Sequence, residues 1–274
     1  MKARYGSILR LMCLALLVLL AASACAGPTP IPEATSVPAT STAPPPTAVP
    51  TATSTAVPTP EPAATQTPVP AATPTETPPP SARYQLTFEA TWSAVSHPLE
   101  FPPNPHFSGL IGATHSPAVG LWAEGETATP GIKNMAETGG KSPLDGEVAD
   151  LIDGGGACEL ISGGGIGTSP GSVTVEFVAT RECPLVSVVS MIAPSPDWFV
   201  GVAGLSLLDE GGWVEQKVVD LLPYDAGTDS GVTYTSPNAP TDGPEAIYRI
   251  EVEPLLIGGV VPPLGTFTFT RLAE

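Results

Sequence analysis

Arg83-Tyr84-Gln85-Leu86-Thr87-Phe88-Glu89-Ala90-Thr91-Trp92 puts Tyr84, Leu86, Phe88, Ala90 and Trp92 at alternate positions, separated by Gln85, Thr87, Glu89 and Thr91. Successive side chains of an extended chain point to opposite sides, so a period of two belongs to a strand with one face in a core and one in water. The C-terminus repeats the pattern, with Phe267 and Phe269 set between Thr266, Thr268 and Thr270. Val173, Val175 and Phe177 alternate as well, and residues 185–193 form a nearly unbroken apolar run of the kind expected of a fully buried strand. Residues 198–208, 218–222 and 246–252 complete the set. Short strands punctuated by Gly and Pro predict an all-β fold, an antiparallel β-sandwich of about eight strands.

One short helix is expected within it. Ser142 and Pro143 fit an N-cap and a first helical position, and Asp145 completes a spacing like that of a capping box. Leu144, Val148, Leu151 and Ile152 share a face, and Gly154 ends the segment. The run Gly163-Gly164-Gly165-Ile166-Gly167 precedes a strand and lacks the Lys-Ser/Thr of a phosphate loop, so it reads as a plain connection.

Upstream of the sandwich the composition changes. Residues 26–82 are almost entirely Pro, Thr, Ala, Ser and Val, with only Glu33, Glu61 and Glu76 charged before Arg83, and the chain as a whole holds 35 prolines. Such a stretch cannot bury a core and is expected to be a disordered, extended stalk. Ahead of it, Lys2, Arg4 and Arg10 precede about twelve apolar residues and the small triplet Ala22-Ser23-Ala24, the layout of a secretion signal. A helix of twelve residues covers about 18 Å, short of the roughly 30 Å of a hydrocarbon core. Ala22-Ser23-Ala24-Cys25 is similar to a bacterial lipobox, which implies a signal peptide at 1–24, an acylated Cys25, a linker to residue 82 and a folded domain at 83–274. The expected location is the extracytoplasmic face of the cell membrane, the domain held at the surface by the lipid.

The chain carries 27 acidic against 10 basic residues, a net charge of −17. Loss of Lys2, Arg4 and Arg10 with the leader takes this to −20. The remaining Lys and Arg are scattered singly, which excludes nucleic acid as a partner and favours cations. With Cys13 in the leader and Cys25 at the anchor, Cys158 and Cys183 remain, either as a disulfide or as two free thiols.

Three stretches resemble the spondin domain, the N-terminal-type domain of F-spondin and mindlin. They are Trp92-Ser93 leading through Phe101-Pro102, His106-Phe107-Ser108 and Ile111-Gly112-Ala113-Thr114-His115 to Leu121-Trp122; residues 191–202, containing Pro194-Ser195-Pro196-Asp197-Trp198; and Asp220-Leu221-Leu222-Pro223-Tyr224-Asp225-Ala226-Gly227-Thr228-Asp229-Ser230-Gly231 with Ser236-Pro237-Asn238. The resemblance implies an antiparallel sandwich holding one calcium ion at a loop end. Its ligand positions fall on Asp197, Asp225 and Asp229, with a fourth at Glu176 or, failing that, Glu182. The residues alone leave two readings of the Asp-Ala-Gly-Thr-Asp loop, an oxygen-ligand cation site or ordinary turn chemistry.

The function these features predict is a surface-anchored, calcium-binding adhesion module for an extracellular glycan or protein, expected to be a monomeric domain and not an enzyme. A non-binding structural component of the surface is the alternative. A serine hydrolase using Ser230 and His115 is a remote one, because Thr228 stands where an oxyanion turn needs Gly. His97, His106 and His115 recur every nine residues, a spacing that suits structural hydrogen bonding better than a zinc site. Trp92, Trp122, Trp198 and Trp213 are expected in the core rather than on a glycan platform.

Overall fold

A computed structural model describes residues 80–210 and 212–273. The expected signal peptide 1–24, the expected lipid attachment at Cys25 and nearly all of the linker 25–82 lie outside the described residues. In chain order the elements are β1 (Ser81–Ala90), β2 (His106–Phe107), β3 (Ile111–His115), α1 (Pro130–Thr138), α2 (Leu144–Asp153), β4 (Ala157–Ser162), β5 (Gly171–Thr180) and β6 (Leu185–Ala193). They continue with β7 (Trp198–Ser206), β8 (Leu208–Asp209), β9 (Gly212–Trp213), β10 (Gln216–Asp220), β11 (Tyr224–Asp225), β12 (Tyr248–Arg249) and β13 (Gly265–Arg271). Eight of the strands have five or more residues; the other five have two each.

One sheet runs β10-β13-β1-β5, a second runs β12-β11-β7-β6-β3-β4 with β2 paired to β6, and β8 and β9 form a separate two-stranded sheet; every ladder is antiparallel. The four-stranded sheet has one wet face. Tyr84, Leu86, Phe88 and Ala90 of β1 and Phe267 and Phe269 of β13 enter the core between the sheets, while Thr87, Thr268 and Thr174 lie side by side on the outer face. In the second sheet the central strand β6 is buried on both faces. Val186, Val188 and Ile192 of β6 point to the inter-sheet core, and Val189, Met191 and Ala193 point to a second core beneath the helices. A strand covered on both sides must be apolar at every position, which accounts for the unbroken run at residues 185–193.

Two helices form, one more than expected. Thr129 caps α1 by accepting from the Ile132 N–H at 3.2 Å, Pro130 starts it and Gly139 closes it at φ 72°. Glu147 of α2 locks the pair together, accepting from the Gly131 N–H at 2.7 Å and the Thr129 hydroxyl at 2.6 Å. Ser142 does not cap α2. Pro143 takes the N-cap position without a side-chain bond, and the acidic first turn, Asp145 and Glu147, favours the helix N-terminus instead.

One lateral edge of the sandwich is closed. Cys158 and Cys183 are disulfide-bonded, with their Cα atoms 6.0 Å apart, joining β4 to the turn between β5 and β6. Glu159 reaches from β4 to accept the Val178 N–H of β5 at 2.8 Å. At the opposite edge Lys217 of β10 donates to the Ser206 carbonyl of β7 at 3.4 Å.

Candidate metal centre

Asp197 lies in the turn that follows β6. It is fully buried, and three donors converge on its Oδ2: Thr228 N–H at 2.7 Å, Asp229 N–H at 3.0 Å and the Thr228 hydroxyl at 3.1 Å. Its Oδ1 is equally buried and has no partner. Leaving such an acceptor without a hydrogen bond costs about 1 to 3 kcal/mol, more if charged.

Asp225 supplies the neighbouring charge. In β11 consecutive residues face opposite ways, so Asp225 shares a face with Trp198 and Tyr248, its Cα partners on β7 and β12. Its Oδ1 accepts the Gly227 N–H at 2.8 Å, and the Tyr248 hydroxyl donates to the same carboxylate. The Trp198 indole N–H approaches it without closing a hydrogen bond of good geometry. Gly227 holds φ 71° in this turn, and any Cβ there would meet the Glu245 carbonyl at 2.5 Å, so only glycine fits.

Burial raises the Asp197 carboxyl to about 6, and the charge of Asp225 pushes the same way against the hydrogen bonds from Thr228 and Asp229. Burial also raises Asp225, opposed by its bonds to Gly227 and Tyr248. Two half-compensated carboxylates with one orphaned oxygen fit a hard cation, which would take that oxygen as a ligand and supply the missing positive charge.

The four residues expected as ligands do not converge. Among the described residues no group of three His, Cys, Asp or Glu side chains is arranged to hold a metal. Asp229 turns its carboxylate into its own loop, Oδ1 accepting from Gly231 N–H and Oδ2 from Ala239 N–H, each at 2.8 Å. Its contribution to Asp197 is its backbone N–H. Glu176 stands on the outer face of the four-stranded sheet, paired with Arg83 at 2.8 Å, because Val175 and Phe177 on either side of it turn inward. Glu182 precedes β6 whereas Asp197 follows it, which separates them by about 30 Å at a strand rise of about 3.3 Å per residue. The nearest further carboxylate whose charge reaches Asp225 is Glu245, which sequence reasoning did not single out.

Ser230 and His115 are not brought together either. The Ser230 hydroxyl donates to the Ala239 carbonyl at 3.0 Å, at the end of the sandwich where β6 finishes. His115 pairs with Leu185, where β6 begins. Its Nδ1 faces the Ser116 carbonyl at 2.9 Å, a pure acceptor, so Nδ1 carries the proton and Nε2 accepts from the Ser187 hydroxyl at 2.8 Å. Ser187 in turn accepts the Gly204 N–H at 2.8 Å, satisfying the β7 bulge where Gly204 takes φ 60°. His97 is bonded to Ser96 and the Pro262 carbonyl, and His106 to the Asn104 carbonyl. All four Trp side chains are buried in the two cores.

Fold and site define an all-β sandwich domain with a helical layer on one sheet and a buried acidic pair at one end. Residues 82–255 match the family Spondin_N, and the chain belongs to that family. It is 34% identical over 210 residues to Spondin-2 of Rattus norvegicus, covering 71% of this chain and 63% of that protein. It is 39% identical over 173 residues to Spondin-1 of Gallus gallus, covering 61% of this chain and 22% of that protein, and 36% identical over 173 residues to Spondin-2 of Homo sapiens, with 62% and 52% covered. The chain thus spans less than two thirds of the length of these relatives. No helix among the described residues is long and apolar enough to cross a membrane.

Proposed function

We propose that the chain is an extracellular recognition and adhesion module of the spondin type, braced by one calcium ion and carried at the cell surface by an acylated Cys25. The observation that supports it most is the buried, unpartnered Asp197 Oδ1 beside Asp225. Asp197 and Asp225 would hold the ion. Oxygen donors without His or Cys favour calcium over zinc or copper. Bound there, the cation supplies the positive charge the pair lacks, and it ties the β6–β7 turn to the loop that starts at Ala226. The loop end so fixed presents a surface to a glycan or protein on another cell or in the matrix.

Thermal unfolding of the full chain with calcium and with chelator tests the cation. Binding to the folded state alone stabilises by about 2.7 kcal/mol at a hundredfold excess over the dissociation constant. Asp197→Asn and Asp225→Asn should each abolish that gain; an identical melting curve with calcium, magnesium, manganese and chelator removes the cation from the account. Mass spectrometry of the mature N-terminus tests the anchor, and an unmodified Cys25 refutes it.

A further inference from the structure

The edges of the two main sheets are finished differently. Those at β5 and β4 are drawn together by the disulfide and by Glu159, and β12 is only two residues long. β10 ends the four-stranded sheet with five residues and, among the described residues, has a ladder on one side alone. Which of its backbone groups that ladder uses follows from the register. One position beyond either end of it, Leu221 N–H donates to the Gly265 carbonyl and Arg271 N–H to the Glu215 carbonyl, both at 2.9 Å. Bonded and non-bonded positions alternate along an antiparallel pair, so Lys217 and Val219 bond to β13 as Glu215 and Leu221 do. The N–H and C=O groups of Gln216, Val218 and Asp220 therefore point outward from the sheet edge.

The side chains leave this edge accessible. Val218 is 57% exposed on the outer face, between exposed Gln216 and Asp220. β10 contains neither a proline nor a bulge, two devices that commonly blunt an edge strand. Lys217 points to the other face, where the Ser206 carbonyl holds its ammonium. Outward groups at the first, third and fifth of five residues make a self-complementary template. A second β10 laid antiparallel, Val218 opposite Val218, sets each Gln216 amide, a donor, opposite the Asp220 carboxylate of the second copy, an acceptor. Lys217 then lays its stem on Val219 of the second copy. A register centred on Asp220 would instead put like charges face to face.

We infer that β10 pairs with β10 of a second copy of this chain, joining two four-stranded sheets into one of eight strands about a two-fold axis at Val218. β10 and β1 run in the same direction, both antiparallel to β13, so the pairing puts the two chain entries at Ser81 at opposite ends of the joined sheet. Copies held on two facing surfaces meet in this way. The pairing names a partner for the adhesion module proposed above; its role rests on that reading and its geometry does not. Two such strands bury less than the roughly 1,000 Å² of a lasting interface, so each contact is weak, with Kd on the order of 0.1 to 1 mM, and many act together across a surface.

Sedimentation equilibrium of the full chain at up to about 1 mM should show a reversible dimer that calcium and chelator leave alike. Added salt should tighten it, because each copy carries a net charge of −17. Val218→Pro removes an N–H that the β13 ladder does not use, and Val218→Lys adds a charge on the axis; each should weaken the dimer about tenfold or more. Cross-linking reads the register. Cα atoms at a bonded antiparallel position lie about 5.5 Å apart, within reach of a disulfide. With copper–phenanthroline as oxidant, Val218→Cys should yield a dimer joined at position 218 by peptide mapping. Gln216→Cys should not cross-link at 216, since two 216 positions stand more than about 13 Å apart at about 3.4 Å per residue, until Asp220→Cys is added. A monomer at every concentration, no cross-link at 218, a cross-link as fast in Gln216→Cys alone, a dimer abolished by chelator, or one undiminished in Val218→Pro and Val218→Lys overturns the pairing. Calcium stabilisation without dimer refutes the edge alone, and a dimer without calcium stabilisation refutes the metal site alone.

Discussion

The ring of Tyr234 stands 5.3 Å from that of Trp198, the residue that directly follows Asp197. It lies at the same distance from Trp92 on the far side, so the loop that carries Asp229 is nailed into the inter-sheet core by one side chain. The Asp225–Asp229 turn therefore owes its position to packing as much as to its own hydrogen bonds.

Tyr234→Ala should cost about 3 to 5 kcal/mol in urea unfolding, the range for truncating a buried aromatic, and should weaken calcium binding by releasing the loop. Burial pushes the Tyr234 hydroxyl up to about 12, and its oxygen has no hydrogen bond of good geometry. Tyr234→Phe should accordingly cost less than about 1 kcal/mol and leave calcium affinity unchanged.

Stability without metal should fall as pH rises. The Asp197 carboxyl sits higher folded, at about 6, than unfolded, at 3.8, so the folded state holds the extra proton between those limits. Metal-free protein is then most stable below about pH 4 on this account and loses on the order of 1 to 3 kcal/mol by about pH 6. Saturating calcium, which prefers the ionised pair, should flatten or reverse that slope. Urea midpoints measured from pH 4 to pH 7 with calcium and with chelator read both signs.

His115→Ala and Ser187→Ala should each destabilise by about 1 to 3 kcal/mol, since the chain from Ser116 through His115 and Ser187 to the Gly204 N–H loses a buried link. A fluorophosphonate probe should label neither Ser187, which is buried, nor Ser230, which has no histidine beside it. Intact-mass measurement checks the second outcome.

Replacing Cys158 and Cys183 together by Ala should remove about 3.5 kcal/mol, the loop-closure contribution for a sequence separation of 25. Peptide mapping under non-reducing conditions establishes the bond independently, and unfolding with and without reductant gives the magnitude.

The strands most legible in the sequence are those whose burial is one-sided or complete. The alternation of β1 and β13 and the unbroken run of β6 report local geometry directly. Ile111–His115 carries little such signal, because a Cβ at Gly112 would overlap the Ser187 carbonyl and the strand must spend a position on glycine. Residues 246–252 read as a strand yet form only the two-residue ladder of Tyr248 and Arg249 and an isolated bridge from Ala246 to Thr127, since Pro223 and the turn at Gly227 limit β11 to two residues. Helix α1 was marked by Thr129-Pro130, an N-cap followed by proline, in a stretch whose Gly131 weakens helical pattern.

The candidate site was legible in part. Asp197 and Asp225 stand out by motif, but no spacing rule reveals that Asp229 would bond its own loop. The period of two that identified β5 already sent Glu176 outward, away from any site between the sheets.

Chain entry has a mechanical consequence. The polypeptide enters the described domain through β1, which is flanked by β13 over seven register pairs and by β5 over ten. Ser81 begins that strand, and Trp92, just past its far end, packs on Tyr234 at the aspartate end. Tension between Ser81 and that end pulls along the strand, across hydrogen bonds that run perpendicular to it. Both ladders are then sheared as a whole instead of unzipped bond by bond, the loading geometry in which a sandwich resists force best.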